Sequence, residues 1–249
     1  MLTVRRIYLY LVAAISLVTV SWSVIGLARL IISEGIGQGQ IIGLASLLAV
    51  IIVGLPIYLF HWLMAQRLVA RSPEEAESPI RQLYFYVIMT AAAAPIISNV
   101  YRLFDNALLA LVGGIRADYY PYDLSAAEHL IAILIWIVVW IYNWRFARPL
   151  SDRRLESTLV INLGIRRVYL LIFSLGGLVM TTWGAVGLLQ MLMQLSTGVN
   201  WRTPVANFSA QLLVGTVVWV AHWMLLQRDF SSGHPVEERS VLRKIYLYL

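Results

Sequence analysis

The sequence predicts an all-α integral membrane protein, with six transmembrane helices as three parallel two-helix repeats and the start of a seventh helix at the C-terminus. Three observations predict it. Apolar residues make up 60% of the 249 and charged residues only 13%, about half the charged share of an ordinary globular chain. Mean hydropathy is +0.75. Six stretches are apolar enough to cross a hydrocarbon core of about 30 Å, which takes roughly 20 residues. The chain also repeats itself. The same composition excludes disorder and a nucleic-acid-binding arm, and the lack of cysteine excludes a disulfide scaffold.

In chain order, hairpin one covers 1–79, with spans at about 7–31 and 41–65. Its second span contains Pro56 and His61. Hairpin two covers 80–163, with spans at about 83–112 and 124–146. The earlier of these holds Pro95, Asn99 and Arg102, and the later opens on Ser125-x-x-Glu128, a spelling that caps free amides at a helix start. Hairpin three covers 164–240, with spans at about 168–195 and 205–226. All six are apolar all round, without the period-two alternation of barrel strands, so they are read as helices. Linkers such as Ser72 to Pro79 are too short for a further domain.

The self-similarity is the strongest signal. Arg5-Arg6-Ile7-Tyr8-Leu9-Tyr10 opens the first span, Arg81-Gln82-Leu83-Tyr84-Phe85-Tyr86 the third and Arg166-Arg167-Val168-Tyr169 the fifth. Copies one and three align without a gap at an offset of 161, which sets Trp22 on Trp183, Gly26 on Gly187 and His61-Trp62 on His222-Trp223. Copy two has Asn143-Trp144 at the last position. An even number of spans per copy inserts all copies the same way round, as parallel repeats about an axis along the membrane normal. Residues 241–249 spell the opening again. Too few apolar residues follow to cross a bilayer, so the sequence predicts continuation into a seventh span and a truncated fourth repeat.

Orientation follows from the arginines. Fifteen of nineteen basic residues fall on the side of the N-terminus and the repeat linkers, giving that side +7 and the other −1. The positive-inside rule then makes that side cytoplasmic. Eighteen arginines against one lysine fit a GC-rich bacterial genome, hence a bacterial inner membrane.

Three sets of residues are weighed for chemistry. The repeat motif (Arg5, Tyr8, Tyr10, Arg81, Tyr84, Tyr86, Arg166 and Tyr169, with Trp62, Trp144 and Trp223) reads as interfacial anchoring, with guanidinium groups snorkelling and rings in the headgroup belt. Its arginines can also hold linker acids such as Glu75 or Glu238. His61 and His222 are repeat-equivalent, and paired imidazoles are an axial set for haem. Both sit near the arginine-rich side beside a tryptophan, so a satisfied structural histidine is the favoured reading and no cofactor is expected. Asn99, Arg102, Asp105, Glu128 and His129, with Arg29 from the first span, form a polar set toward the other side. Arg102 and Asp105 are three apart and can pair. Ionisable groups inside spans are candidates for function, but positions near helix ends favour structural ion pairing. Pro95 after four alanines predicts a kink and close helix approach. No phosphate loop, dinucleotide fingerprint, zinc motif or spaced nucleophile–base pair occurs.

With these motifs in hand, the chain resembles an uncharacterised bacterial membrane-protein family, a domain of unknown function. Its mark is tandem hairpins opening Arg-x-hydrophobic-Tyr-x-Tyr and closing His-Trp. The resemblance implies a repeat architecture and no activity. The sequence therefore leads to a non-enzymatic structural or accessory subunit, in contact with the lipid bilayer and with a membrane-protein partner or further copies of itself. A small-solute or ion carrier using the polar set of repeat two is the second expectation, and a haem-binding electron carrier the third.

Overall fold

The structure, a computed structural model, describes residues 2–32, 41–114, 124–147, 156–195, 198 and 200–231. Residues 241–249, Arg116, Asp118, Asp123 and Glu238 lie outside them. Among the described residues seven helices form: α1 (Leu2–Ile32), α2 (Ile41–Arg71), α3 (Pro73–Ala76), α4 (Pro79–Leu111), α5 (Ala126–Ala147), α6 (Glu156–Gln194) and α7 (Arg202–Ser231). All but the short α3 are long and apolar enough to cross a membrane.

Local chemistry sets the helix ends. Pro79 sits in the first turn of α4, where its missing N–H has no intrahelical role. The other end of α4 closes on Gly113 at φ +63°. There Gly113 N–H donates to the Ala110 carbonyl and Gly114 N–H to that of Leu109, at 3.2 and 3.0 Å. This left-handed turn is one that glycine adopts without steric penalty. The capping box forms at the start of α5: Ser125 N–H and Oγ–H donate to the Glu128 carboxylate at 2.7 and 2.8 Å. Helix α6 starts well before the expected position 168, because no proline lies between Pro149 and Pro204 to stop it. Pro56 and Pro95 stay inside continuous helices. At Pro95 the carbonyl accepts from Asn99 Nδ2 (2.7 Å) and Ser98 Oγ (3.1 Å).

Sequence neighbours pair as hairpins, α1 with α2, α4 with α5 and α6 with α7. The hairpins then stack by one repeated rule. The first helix of each copy packs on the first helix of the copy before it, α4 on α1 and α6 on α4. The second helix leans on that same preceding helix, α5 on α1 and α7 on α4. Helix α4 is therefore central. Its buried residues Tyr84, Phe85, Ile88, Met89, Ala92 and Pro95 follow helical spacing. Helix α2 lies at the rim, and none of its most apolar window is buried.

The rings of successive openings touch at the end that carries the arginines. Tyr10 meets Tyr84 at 5.2 Å between centroids, and Tyr86 meets Tyr169 at 5.3 Å. A second cluster, Ile25, Ala92, Ala132 and Trp136, fills the other half of the bundle. Between apolar helices such contacts act through close packing, because lipid tails are as apolar as the side chains they replace.

Candidate functional site

The repeat motif differs in part from the interfacial reading. Tyr8 is exposed, as a belt residue would be. Tyr10, Tyr84, Tyr169 and Trp62 are buried between helices, while Tyr86 is half-buried. Trp62 stacks on Tyr84 (5.6 Å), meets Phe85 edge-on (6.0 Å) and donates its indole N–H to the Tyr142 hydroxyl at 2.8 Å. Burial with a satisfied N–H is the more stable outcome for a tryptophan that neighbouring helices can enclose. Trp144 is exposed and stacks on Trp140 at 5.7 Å. Trp223 packs against the edge of the same core.

The arginines also divide. Arg5 and Arg6 hold Glu75 at 3.1 and 2.7 Å, which ties the first linker to the N-terminal turn. Arg166 pairs with Asp229 at 3.0 Å and so joins the ends of α6 and α7. Arg81 is buried instead. Its guanidinium lies 4.9 Å over the Phe85 ring and donates to the Ala76 carbonyl at 2.9 Å.

His61 and His222 share a role that the sequence did not display. His61 Nδ1 lies 2.7 Å from the Ile57 carbonyl and His222 Nδ1 2.8 Å from that of Val218. A carbonyl only accepts, so Nδ1 carries the proton in each. Asn143 Nδ2, at the same position of copy two, donates to the Val139 carbonyl at 2.8 Å. Histidine and asparagine thus do one job here, returning an N–H to the carbonyl four residues back. The two imidazoles also sit in separate hairpins, each against its own opening tyrosine: Tyr8 at 5.6 Å and Tyr169 at 6.0 Å. They do not face each other as an axial pair would.

The polar set of repeat two is brought together only in part. Asn99 and His129 are both buried and joined: with Asn99 Nδ2 committed to Pro95, its Oδ1 accepts from His129 Nδ1–H at 2.8 Å. Glu128 is taken up by the capping box, and its charge also acts on Arg29. The Arg29 Nε is buried and makes no hydrogen bond among the described residues. Asp105 is buried, whereas Arg102 is exposed with its guanidinium 5.5 Å from the Tyr101 ring. The expected Arg102–Asp105 pair is not among the ion pairs of the described residues.

Sequence reasoning missed a neighbouring chain of amides. Asn207 Nδ2 donates to the Tyr101 hydroxyl, and Gln211 Nε2 donates to Asn207 Oδ1 at 3.0 Å, so α7 is bonded to α4. The available signal was the four-residue spacing of Asn207 and Gln211 inside an apolar span, which sets both on one face. The site residues thus form an aromatic and ionic lock at the arginine-rich end and two separate polar links on α4, the buried Asn99–His129 pair to α5 and the half-buried Tyr101–Asn207–Gln211 chain to α7.

Comparison with known proteins agrees with the repeat. No curated protein and no solved structure matches the chain. One family does, over residues 6–142 and again over 167–249, with the description Domain of unknown function (DUF5671). The two matched segments cover most of the sequence and divide it within the linker that precedes the third copy's opening, so the chain belongs to the DUF5671 family.

Proposed function

We propose that the protein is a non-enzymatic structural or accessory subunit of a bacterial inner membrane, its arginine-rich end in the cytoplasm. The observation that carries this reading is where the polar groups go. The Asn99–His129 pair, the Tyr101–Asn207–Gln211 chain and the Glu75 pair all join one helix or linker to its neighbour. Polar side chains used this way hold helices in register within an apolar medium. Outward, the surface is apolar. Two open grooves flank α4, one of about 590 Å³ toward α6 and one of about 340 Å³ toward α1, and they share Leu83 and Val87. Such grooves suit acyl chains or an apolar partner helix. Extraction of the tagged protein from native membrane, followed by mass spectrometry, tests the reading. A stable co-purifying membrane protein at fixed ratio supports it, and a protein that elutes alone and moves a solute overturns it.

A carrier is the second reading, favoured by the burial of Asp105 and His129 in the α4–α5 pair, whose first helix holds Pro95 within it. Ionisable groups within an apolar span mark ion or solute paths when they serve transport. Proteoliposome flux that disappears in Asp105→Asn would establish it.

A further inference from the structure

Several charges at the arginine-rich end are spent within the chain, whereas Arg67 and Arg71 face outward. Arg5 and Arg6 hold Glu75, Arg166 holds Asp229, and Arg81 is buried over Phe85. Arg67 and Arg71, in the last two turns of α2, are exposed and enter no ion pair among the described residues. They stand four apart, so their side chains leave one face of the helix. The same face continues inward as Met64, Leu63 and Phe60, all exposed, Phe60 to 64%. With Leu68 these residues line an open cleft of about 410 Å³. The cleft is apolar along most of its length and cationic at its foot. At 1.5 Å per residue, Arg67 lies about 6 Å and Arg71 about 12 Å beyond Leu63 along the helix axis.

Hairpin three shows that the repeat does not require this stripe. At the offset of 161, Phe60 becomes Ala221, Leu68 becomes Asp229 and Arg71 becomes Ser232. Arg67 has a counterpart in Arg228, which already interacts within the chain. Net positive charge at this end is enough to orient the helices. It does not call for two guanidinium groups in one row at the foot of an unpacked apolar surface. A lipid phosphate does, because guanidinium groups recognise phosphate oxygens through paired hydrogen bonds. We propose that this face of α2 binds one anionic phospholipid, its phosphate held between Arg67 and Arg71 and an acyl chain laid along Leu63 and Phe60. Charge complementarity makes the occupant anionic. Glu75 is already held by Arg5 and Arg6, and Glu74 pairs with neither outward arginine among the described residues. A zwitterionic headgroup would set its own cation against the two guanidinium groups. The site requires only that α2 meet lipid, and it holds for a subunit and a carrier alike.

The chain has no cysteine, so one introduced thiol carries one label. Leu63→Cys and its counterpart Met224→Cys, each labelled with bimane, are reconstituted as full chains in phosphatidylcholine vesicles. The vesicles contain brominated phosphatidylglycerol or brominated phosphatidylcholine, whose acyl chains quench the label on contact. At position 63, phosphatidylglycerol is expected to quench at the lower mole fraction. Combining Arg67→Gln with Arg71→Gln should cut that preference about fivefold or more. Arg71→Lys keeps the charge but not the planar fork, and should lose part of it. At position 224 the two lipids should quench alike, a comparison that needs no arginine variant. An equal preference at both positions would make the effect one of net surface charge and overturn the proposal. So would a preference at position 63 that survives the loss of both arginines. A label there that neither lipid reaches would also overturn it, by showing that protein covers the face.

Discussion

Hairpins one and three align residue for residue at an offset of 161, and their helix contacts carry over at the same offset. Gly26 faces Leu47 and Gly187 faces Phe208, while Gly54 faces Val20 and Gly215 faces Thr181. The register is one, but the separation is not. A Cβ built on Gly177, Gly184 or Gly215 would fall 2.4, 2.6 or 2.6 Å from a backbone nitrogen of the partner helix. In hairpin one, a Cβ on Gly26 or Gly54 would meet only side-chain tips, at 3.0 and 2.8 Å. The sequence difference behind this is small: Ser16 and Ser23 of α1 stand where α6 has Gly177 and Gly184. Glycine on an apolar helix lets two backbones touch, and serine holds them apart by one side chain. The lesson is that register follows the repeat, whereas helix separation is set one small residue at a time.

Substitutions can break or sharpen this contrast. The largest effect is expected from Gly184→Leu, which places a branched side chain against the α7 backbone. Overpacking of this kind costs about 3 kcal/mol or more, so size-exclusion chromatography in mild detergent should show loss of the monodisperse species. Next come the equivalent alanines. Gly215→Ala should destabilise by about 1–3 kcal/mol because the Thr181 backbone has to move. Gly54→Ala should fall within about 1 kcal/mol of neutral, since alanine's higher helix propensity offsets displacement of the Val20 methyl. Unfolding midpoints in a denaturing-detergent titration compare the pair.

Gly187→Ala meets the Phe208 ring at 2.3 Å and should lose about 1–2 kcal/mol. Adding Phe208→Leu, which restores the residue that hairpin one has at Leu47, should recover most of the loss in the same titration. If it does not, the equivalence of the two contacts fails. Smaller still is Glu75→Gln, which releases Arg5 and Arg6 in hairpin one. With the Arg5 side chain 42% exposed, solvent screening limits the loss to about 0.5–1 kcal/mol. The loss should shrink as salt is raised, and Asp229→Asn should behave likewise in hairpin three. The smallest effect is expected from His222→Asn, which keeps the N–H donated to the Val218 carbonyl as Asn143 does for Val139. It should stay within about 0.5 kcal/mol of the parent.

Much of this was legible in the residues. Span positions followed from apolar length, the α5 start from Ser125 and Glu128, and the linker clamp from arginines beside Glu75. The Trp62 environment was not legible, because a belt tryptophan and a buried one are spelled alike, and only packing against Tyr84 and Phe85 distinguishes them. Arg102 and Asp105 show the converse failure. Three-residue spacing permits a pair, yet Arg102 is exposed and lies against Tyr101 while Asp105 is buried. The Asn207–Tyr101 bond escaped notice because its partners lie 106 residues apart.

By itself, the chain's order of residues determined which six described helices are long and apolar enough to span a membrane, where each begins to be apolar, and that the hairpins repeat. Those properties depend on composition and period within a window of a few turns. Only the folded arrangement decided which rings are enclosed, which amides find each other, and how closely each hairpin closes. Those depend on distances between helices, and a single atom at Gly177 or Ser16 changes such a distance without altering any local pattern.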